Sequence, residues 1–345
     1  MSLFASKDTG DGNRGLYNMQ SPAHTDIPAS SGVAAFKIIR DELEQVKKLI
    51  NEQLLCCPDK ADVRRLVEHL NRCGGKMVRP GLVLLAGGVI GKITGEHIRV
   101  AAIMEMIHNA TLLHDDVIDD GQKRRGQATV NSLWGNESAV LLGDFLLSDV
   151  FKMCAELKPS AAKVIAAAAG RTCEGELRQI AQRGNWQLSE AEYIDIITEK
   201  SAALFSSCCY LGGFLSGGDE KEVGLLSDFG TNLGVAFQIA DDLLDLVGDQ
   251  NKIGKPIGSD LDNSKVTLPV IHLLKTVNEA DRELVVKGNR ADLKKQLQAC
   301  GSIEYSRKRA QDFTERAIAA IEGFSQSESK DALIELTRFA VQRAV

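Results

Sequence analysis

Two segments of the chain put aspartates on one face of a helix. In Leu112 to Asp120, Asp115 and Asp119 are four residues apart, with Asp116 just round the cylinder. In Gln238 to Asp245, Asp241 and Asp245 repeat that spacing, with Asp242 beside them and Gln238 one turn earlier. Acidic pairs at this spacing destabilise a helix by about 0.2–0.5 kcal/mol. Both segments sit in strongly apolar sequence, which predicts partial burial, so a counter-cation is needed. One such motif alone reads as well as a solvated acidic face; two in one chain do not. Their oxygen donors lack the ligand spacing of an EF-hand loop and suit Mg²⁺, which binds through a few carboxylates together with waters and substrate phosphates. The ion implies a phosphate.

Basic residues stand where a phosphate would need them. Gly74-Gly75-Lys76-Met77-Val78-Arg79-Pro80 supplies Lys76 and Arg79 after a glycine turn, and Lys123-Arg124-Arg125-Gly126 follows the first acidic helix directly. Gly254-Lys255-Pro256 and then Lys265 come shortly after the second. Singly each passes for a surface charge; jointly they suit diphosphate oxygens.

The elements that must position these groups are helices. From Phe36 onward apolar residues recur at three- and four-residue spacing, broken at points such as Pro58, Gly91, Gly135, Pro159 and Gly184, while convincing period-two strands are absent. The pattern predicts about ten helices in one all-α domain over 33–345. Residues 1–32, rich in Gly, Ser, Asp, Asn and Pro without apolar periodicity, read as a disordered tail. Across 345 residues, 44% are hydrophobic and only seven are proline, which excludes fibrous and disordered classes. A net charge of −6 with scattered Lys and Arg speaks against nucleic acid as a partner. The uncharged stretch Ser201 to Gly218 holds too many Ser and Gly to face lipid and reads as buried helix, so no transmembrane segment is expected. Eight cysteines without a CxxC pair fit reduced thiols in a cytoplasm.

The chain resembles the trans-isoprenyl diphosphate synthases, the all-helical prenyltransferases. The resemblance rests on GGKMVRP (Gly74 to Pro80), HNATLLHDDVIDDGQKRRG (His108 to Gly126), GDF (Gly143 to Phe145), EKSAALF (Glu199 to Phe205), FQIADDLLD (Phe237 to Asp245) and GKPIGSDLDNSKVTLP (Gly254 to Pro269), in family order. It implies a helical bundle of the isoprenoid synthase type around a central active-site cavity, acting on isopentenyl diphosphate and an allylic diphosphate. Asp115, Asp116 and Asp119 on one side, and Asp241, Asp242 and Asp245 on the other, would hold about three Mg²⁺ ions with substrate bound. Lys76, Arg79, His108 and Arg125 match the isopentenyl site; Arg124, Lys200, Ser201, Gln238 and Lys255 match the allylic side. Ser201 replaces the family's usual Thr and keeps the hydroxyl, whereas His114 is expected to flank the metal site without binding it. A homodimer is expected, with a subunit of a heteromeric synthase as the non-enzymatic alternative. A terpene cyclase is disfavoured by the intact second aspartate motif.

Chemistry follows from these types: Mg²⁺, Lys and Arg stabilise a departing diphosphate, and the allylic cation is attacked by the double bond of isopentenyl diphosphate. Lys200, Ser201 and Gln238 offer dipoles that stabilise the cation without trapping it. Upstream of Asp115, Thr111, Ile107 and Met104 share a face expected to line the product tunnel, and small Ala110 and Thr111 leave room where short-chain members carry a bulky ring. That predicts a long-chain product such as a quinone side-chain precursor, a geranylgeranyl or other short-chain product being the alternative. Phe151, seven residues after Asp144, is a candidate tunnel floor.

Overall fold

A computed structural model describes residues 34–55, 61–72, 75–247, 259–286 and 293–342. The tail over 1–32 and Lys255 lie outside the described residues. After a 3₁₀ turn at Lys37–Ile39 come α1 (Arg40–Leu55), α2 (Ala61–Arg72), α3 (Val78–Ile90), α4 (Gly95–Ile118), α5 (Val130–Trp134), α6 (Asn136–Ala155), α7 (Pro159–Ala181) and α8 (Glu190–Ile197). They are followed by α9 (Ala203–Leu215), α10 (Glu220–Val247), α11 (Ser259–Asp262), α12 (Leu268–Thr276), α13 (Glu279–Val286), α14 (Leu293–Ala299), α15 (Ser302–Ala320) and α16 (Glu328–Gln342). The described residues thus hold sixteen α-helical segments rather than about ten, because one- and two-turn pieces such as α5 and α11 are too short to show a periodicity. A two-residue hairpin pairs Lys123–Arg124 with Gln127–Ala128. Its turn takes positive φ at Arg125 (52°) and Gly126 (76°), the geometry that two-residue hairpins favour.

α4 is the central rod. Every residue from Val100 to Ile107 is buried, so the helix is covered on all sides, by α3, α6, α1 and α9. Thr94 starts it with a capping box in which the His97 ring takes the place usually filled by Glu: Nδ1 accepts from the Thr94 backbone at 3.1 Å, while Nε2 faces the Gly212 carbonyl at 3.1 Å. α10 ties two apolar cores together, with Leu226, Phe229 and Leu233 in one and Ile239, Leu243 and Leu246 in the other. Its 28 residues span about 42 Å at 1.5 Å per residue. Both aspartate motifs therefore sit in the last turns of long, tightly packed helices.

Phe151 is not a tunnel floor: its side chain is 71% exposed. A seven-residue step returns to nearly the same side of a helix, and Asp144 is itself exposed. The inward stripe of α6 is Leu142, Leu146, Val150 and Met153. By contrast Met104, Ile107 and Ala110 are buried, each 1% exposed or less.

The helices approach closely through glycine. A Cβ on Gly212 would fall 2.3 Å from the Val83 carbonyl oxygen and 2.9 Å from the Gly87 nitrogen, both immobile backbone. Gly212→Ala is expected to push α9 off α3 and to cost about 1–3 kcal/mol. Gly170→Ala, where nothing lies within 4 Å, is expected to leave stability level or raise it by up to about 1 kcal/mol. Urea unfolding of the two variants checks the contrast.

Candidate active site

The three aspartates of the first motif have different environments. Asp116 is 7% exposed and both its oxygens accept from Arg124, Nε at 3.0 and 3.1 Å and Nη2 at 2.7 Å. This pair ties the hairpin to the end of α4, and Asn131 adds a bond to the Asp116 carbonyl at 3.1 Å. Asp116, expected as a metal ligand, and Arg124, expected on the allylic side, are thus paired with each other here. Asp119 caps α4 and accepts from Arg183 Nη2 at 2.8 Å and Lys265 Nζ at 2.6 Å. Asp115 is half-buried, and burial raises its carboxyl above the ordinary range against the pull of Lys200. His114 turns away, its ring over Gly143 and Nε2 3.2 Å from the Val140 carbonyl.

The second motif is arranged in the same way. Asp245 accepts from the Asp260 backbone at 3.1 Å, and Asp241 lies in the field of Arg79. Asp242 is 6% exposed, with one oxygen held by the Tyr193 hydroxyl at 2.6 Å and the other by Gln238 Nε2 at 2.8 Å. Burial, with Asp260 nearby, raises its carboxyl above the ordinary range, while the hydrogen bonds from Tyr193 and Gln238 favour the charged form. Asp242, expected among the metal ligands, thus has both oxygens held by protein donors.

Between the motifs the chain follows a π turn, Thr198–Ala202, that carries Lys200 and Ser201. Extra-residue turns of this kind recur at functional sites. A Cβ on Gly175 would fall 2.2 Å from the Lys200 backbone nitrogen, so glycine lets the turn seat against α7. The Lys200 ammonium meets Glu176 and donates to Gln179 at 2.7 Å. Burial opposes its charge, but Asp115 and Glu176 outweigh that and hold it above its ordinary value. Ser201 donates to Gln238 Oε1 at 2.6 Å. Lys265, 8% exposed, links the two sides, 2.6 Å from Asp119 and 3.8 Å from Asp260. The Gly184 nitrogen, bonded to the Ser264 carbonyl at 2.8 Å, fixes the loop that carries it.

Arg79, His108 and Arg125 gather on the other side around Glu105, a residue not singled out in the sequence. Glu105 is 3% exposed with Oε2 lacking a hydrogen-bond partner; Arg79 lies over the Phe205 ring at 5.0 Å with Nε likewise unmatched among the described residues. Burial, then Arg79 and Arg125, drive His108 well below its ordinary value, so it is neutral at physiological pH. An orphaned donor and a crowd of cations suit an anion with many oxygens. Lys76 is exposed, 5.8 Å from the Phe339 ring of α16.

Asp260, Arg183, Glu176, Gln179 and Tyr193 were also missed. Glu176, Gln179 and Arg183 lie at i, i+3 and i+7 of α7 and its end, a polar stripe that the periodicity offered. No three metal-ligating side chains converge on one point among the described residues. The carboxylates Asp115, Asp119, Asp241 and Asp245 are hard oxygen donors, and they fit an ion such as Mg²⁺, which binds through a few carboxylates and completes its shell with water and phosphate.

The description "Polyprenyl synthetase" belongs to the family model that matches residues 60–301. The chain is a member of that family. It is 36% identical to an octaprenyl diphosphate synthase from Escherichia coli (strain K12) over 316 residues, 89% of this chain and 97% of that one. A short chain isoprenyl diphosphate synthase from Methanothermobacter thermautotrophicus is 35% identical over 81% of this chain and 90% of its own. Among solved structures, a polyprenyl synthase from Caulobacter crescentus CB15, complexed with calcium and isoprenyl diphosphate, superposes with a TM-score of 0.87 at 32% identity, covering 92% of this chain and all of that one.

Within each motif the aspartates differ in what they hold, and stability measurements separate them. Asp116→Ala leaves the partly buried Arg124 without this partner and is expected to cost about 1–3 kcal/mol. Asp115→Ala relieves like-charge crowding and is expected to leave thermal stability level or slightly raised. Thermal unfolding of both variants checks the difference.

Proposed function

We propose that the chain is a long-chain trans-polyprenyl diphosphate synthase, joining isopentenyl diphosphate head to tail onto an allylic diphosphate. The observation that carries this reading is the division of the cleft: carboxylates from two helix ends with Lys200 and Lys265 between them on one side, and Arg79, His108 and Arg125 around Glu105 on the other. Asp115, Asp119, Asp241 and Asp245 are the groups to hold Mg²⁺, about three ions with substrate bound, which would neutralise charge on the departing diphosphate. Lys200, with Lys255 by its place in the sequence, adds positive charge on that side.

The diphosphate that does not ionise belongs with Arg79, Arg125, Lys76 and His108. A neutral imidazole donates a hydrogen bond there without adding to the crowding of cations. Ser201 and Gln238 present oxygens to the allylic carbon that stabilise positive charge without attacking it. The final proton goes to the released diphosphate, a base that the reaction itself supplies. A long product is favoured by the small, buried Ala110 below Asp115 and by the similarity to the octaprenyl synthase. The short-chain reading rests on the Methanothermobacter relative. No described helix is long and apolar enough to cross a membrane, and a cytoplasmic setting is proposed.

Incubating the purified chain with isopentenyl diphosphate, a short allylic diphosphate and Mg²⁺, then sizing the dephosphorylated products, tests the activity. Lack of elongation by the chain alone would favour a heteromeric subunit instead. Ala110→Phe places a ring in a close-packed wall, and the ladder is expected to stop after about three or four isoprene units with the first condensation little slowed. An unchanged longest product would remove the tunnel assignment.

A homodimer is proposed from the outer faces of α6 and α7, where Leu141 (66%), Phe151 and Leu177 (66%) are exposed. Scattered apolar residues need no partner, but three large ones on consecutive helices suit a second copy. Leu141→Glu with Leu177→Glu is expected to give a monomer by light scattering where the wild type gives a dimer.

A further inference from the structure

Gln238 sits at the junction of two networks, and only one of its two amide orientations satisfies both. Its Nε2 donates to Asp242 Oδ1 at 2.8 Å, and its Oε1 accepts from Ser201 at 2.6 Å. The other Asp242 oxygen accepts from the Tyr193 hydroxyl at 2.6 Å. Tyr193 and Asp242 are 3% and 6% exposed, so water does not compete for these bonds. Gln238 and Asp242 are four apart on α10, whereas Tyr193 is on α8, two turns before Ser201 in the π turn. The chain Tyr193, Asp242, Gln238, Ser201 therefore runs from a buried anchor to the residues assigned to the allylic carbon.

We propose that Tyr193 and Asp242 are positioning residues that lock the Gln238 amide with its carbonyl oxygen, and not its NH₂ group, turned to Ser201 and the developing cation. The inference rests on the prenyltransfer reading given above. A carboxylate that accepts at both oxygens forces Gln238 to present NH₂ to it, which leaves the carbonyl on the far side. With the tyrosine holding the second oxygen, the carboxylate cannot rotate away. The carbonyl dipole is then fixed before positive charge develops. Asp242 thus acts through Gln238 and does not serve as a ligand to the metal.

Exchanging one acceptor for a donor tests the lock. In Asp242→Asn the Tyr193 hydroxyl still needs an acceptor, so the new carbonyl turns to it and the new NH₂ turns to Gln238, whose amide must reverse. Positive N–H edges then face the cation, and kcat is expected to fall ~10²-fold, the scale of losing one preorganised dipole. Both Michaelis constants and the Mg²⁺ concentration for half-maximal rate are expected to stay at wild-type values. Tyr193→Phe alone is expected to lower kcat modestly. In the variant carrying both substitutions the tyrosine's demand is gone, the carbonyl of the introduced amide is released to meet Gln238, and turnover is expected to rise above that of Asp242→Asn alone.

That rescue separates positioning from a structural or metal-binding role, neither of which gains from a second deletion. A raised Mg²⁺ requirement with normal kcat at saturating metal, or a double variant slower than Asp242→Asn, would overturn the proposal. If Asp242→Asn does not fold, as judged by circular dichroism, unchanged turnover in Tyr193→Phe overturns it. An inactive wild type would instead defeat the prenyltransferase reading, and the two failures are distinguishable by that control.

Discussion

Everything in the cleft answers to one constraint, the crowding of carboxylates at two helix C-termini. Asp115 and Asp119 end α4, and Asp241 and Asp245 lie in the last two turns of α10. The C-terminal end of a helix already carries partial negative charge, so these positions are unfavourable for acids twice over. The protein meets the repulsion with lysines held in place: Lys200 by Glu176 and Gln179, Lys265 by Asp119 and Asp260. Both amines are largely buried, and each interaction gains strength from the lower local dielectric. Charge of one sign imposed by the helices thus determines where charge of the other sign must be.

Placing Lys200 and Ser201 between the two helix ends takes backbone geometry that a regular helix does not provide. The π turn at Thr198–Ala202 shifts the register between α8 and α9, so Tyr193 and Ser201 can address opposite ends of the network around Gln238. Gly175 admits that turn to α7 and Gly234 admits Ala202 to α10, where a Cβ would fall 2.6 Å from the Ala202 Cα. Backbones packed too closely to admit a methyl group leave little slack, which suits side chains that must be positioned to fractions of an ångström.

The all-helical architecture and the pairing of two aspartate motifs were legible because each has a period: apolar residues at 3.6 and acids at four. What the sequence could not convey was which acids meet a partner within the fold. Asp115 and Asp116 look alike as letters, yet a rotation of about 100° between successive residues turns Asp116 toward the hairpin and Arg124. Asp242 is distinguished from Asp241 in the same way, by Tyr193 arriving from another helix. Glu105 was missed because one acid inside an apolar helix has no pattern; its meaning comes from Arg79 and Arg125, which arrive from elsewhere in the chain. Phe151 was misplaced by counting distance along α6 without asking which way the seventh residue faces.

The surroundings of Arg79 and Glu105 include a sulfur whose charge state they influence. Cys208 and Cys209 are fully buried on α9, and Cys208 is close enough to Arg79 and Glu105 to feel both charges. A guanidinium alone would favour the thiolate, the strongly nucleophilic form of cysteine. Burial dominates instead and raises both thiols well above their ordinary values, with Glu105 opposing Arg79 at Cys208 and Cys208 adding to the shift at Cys209. Both sulfurs are therefore neutral at physiological pH and poor nucleophiles. The buried glutamate thus does two things with one charge: it balances the cations that gather around it, and it offsets the pull of Arg79 on the neighbouring thiol, which burial keeps neutral.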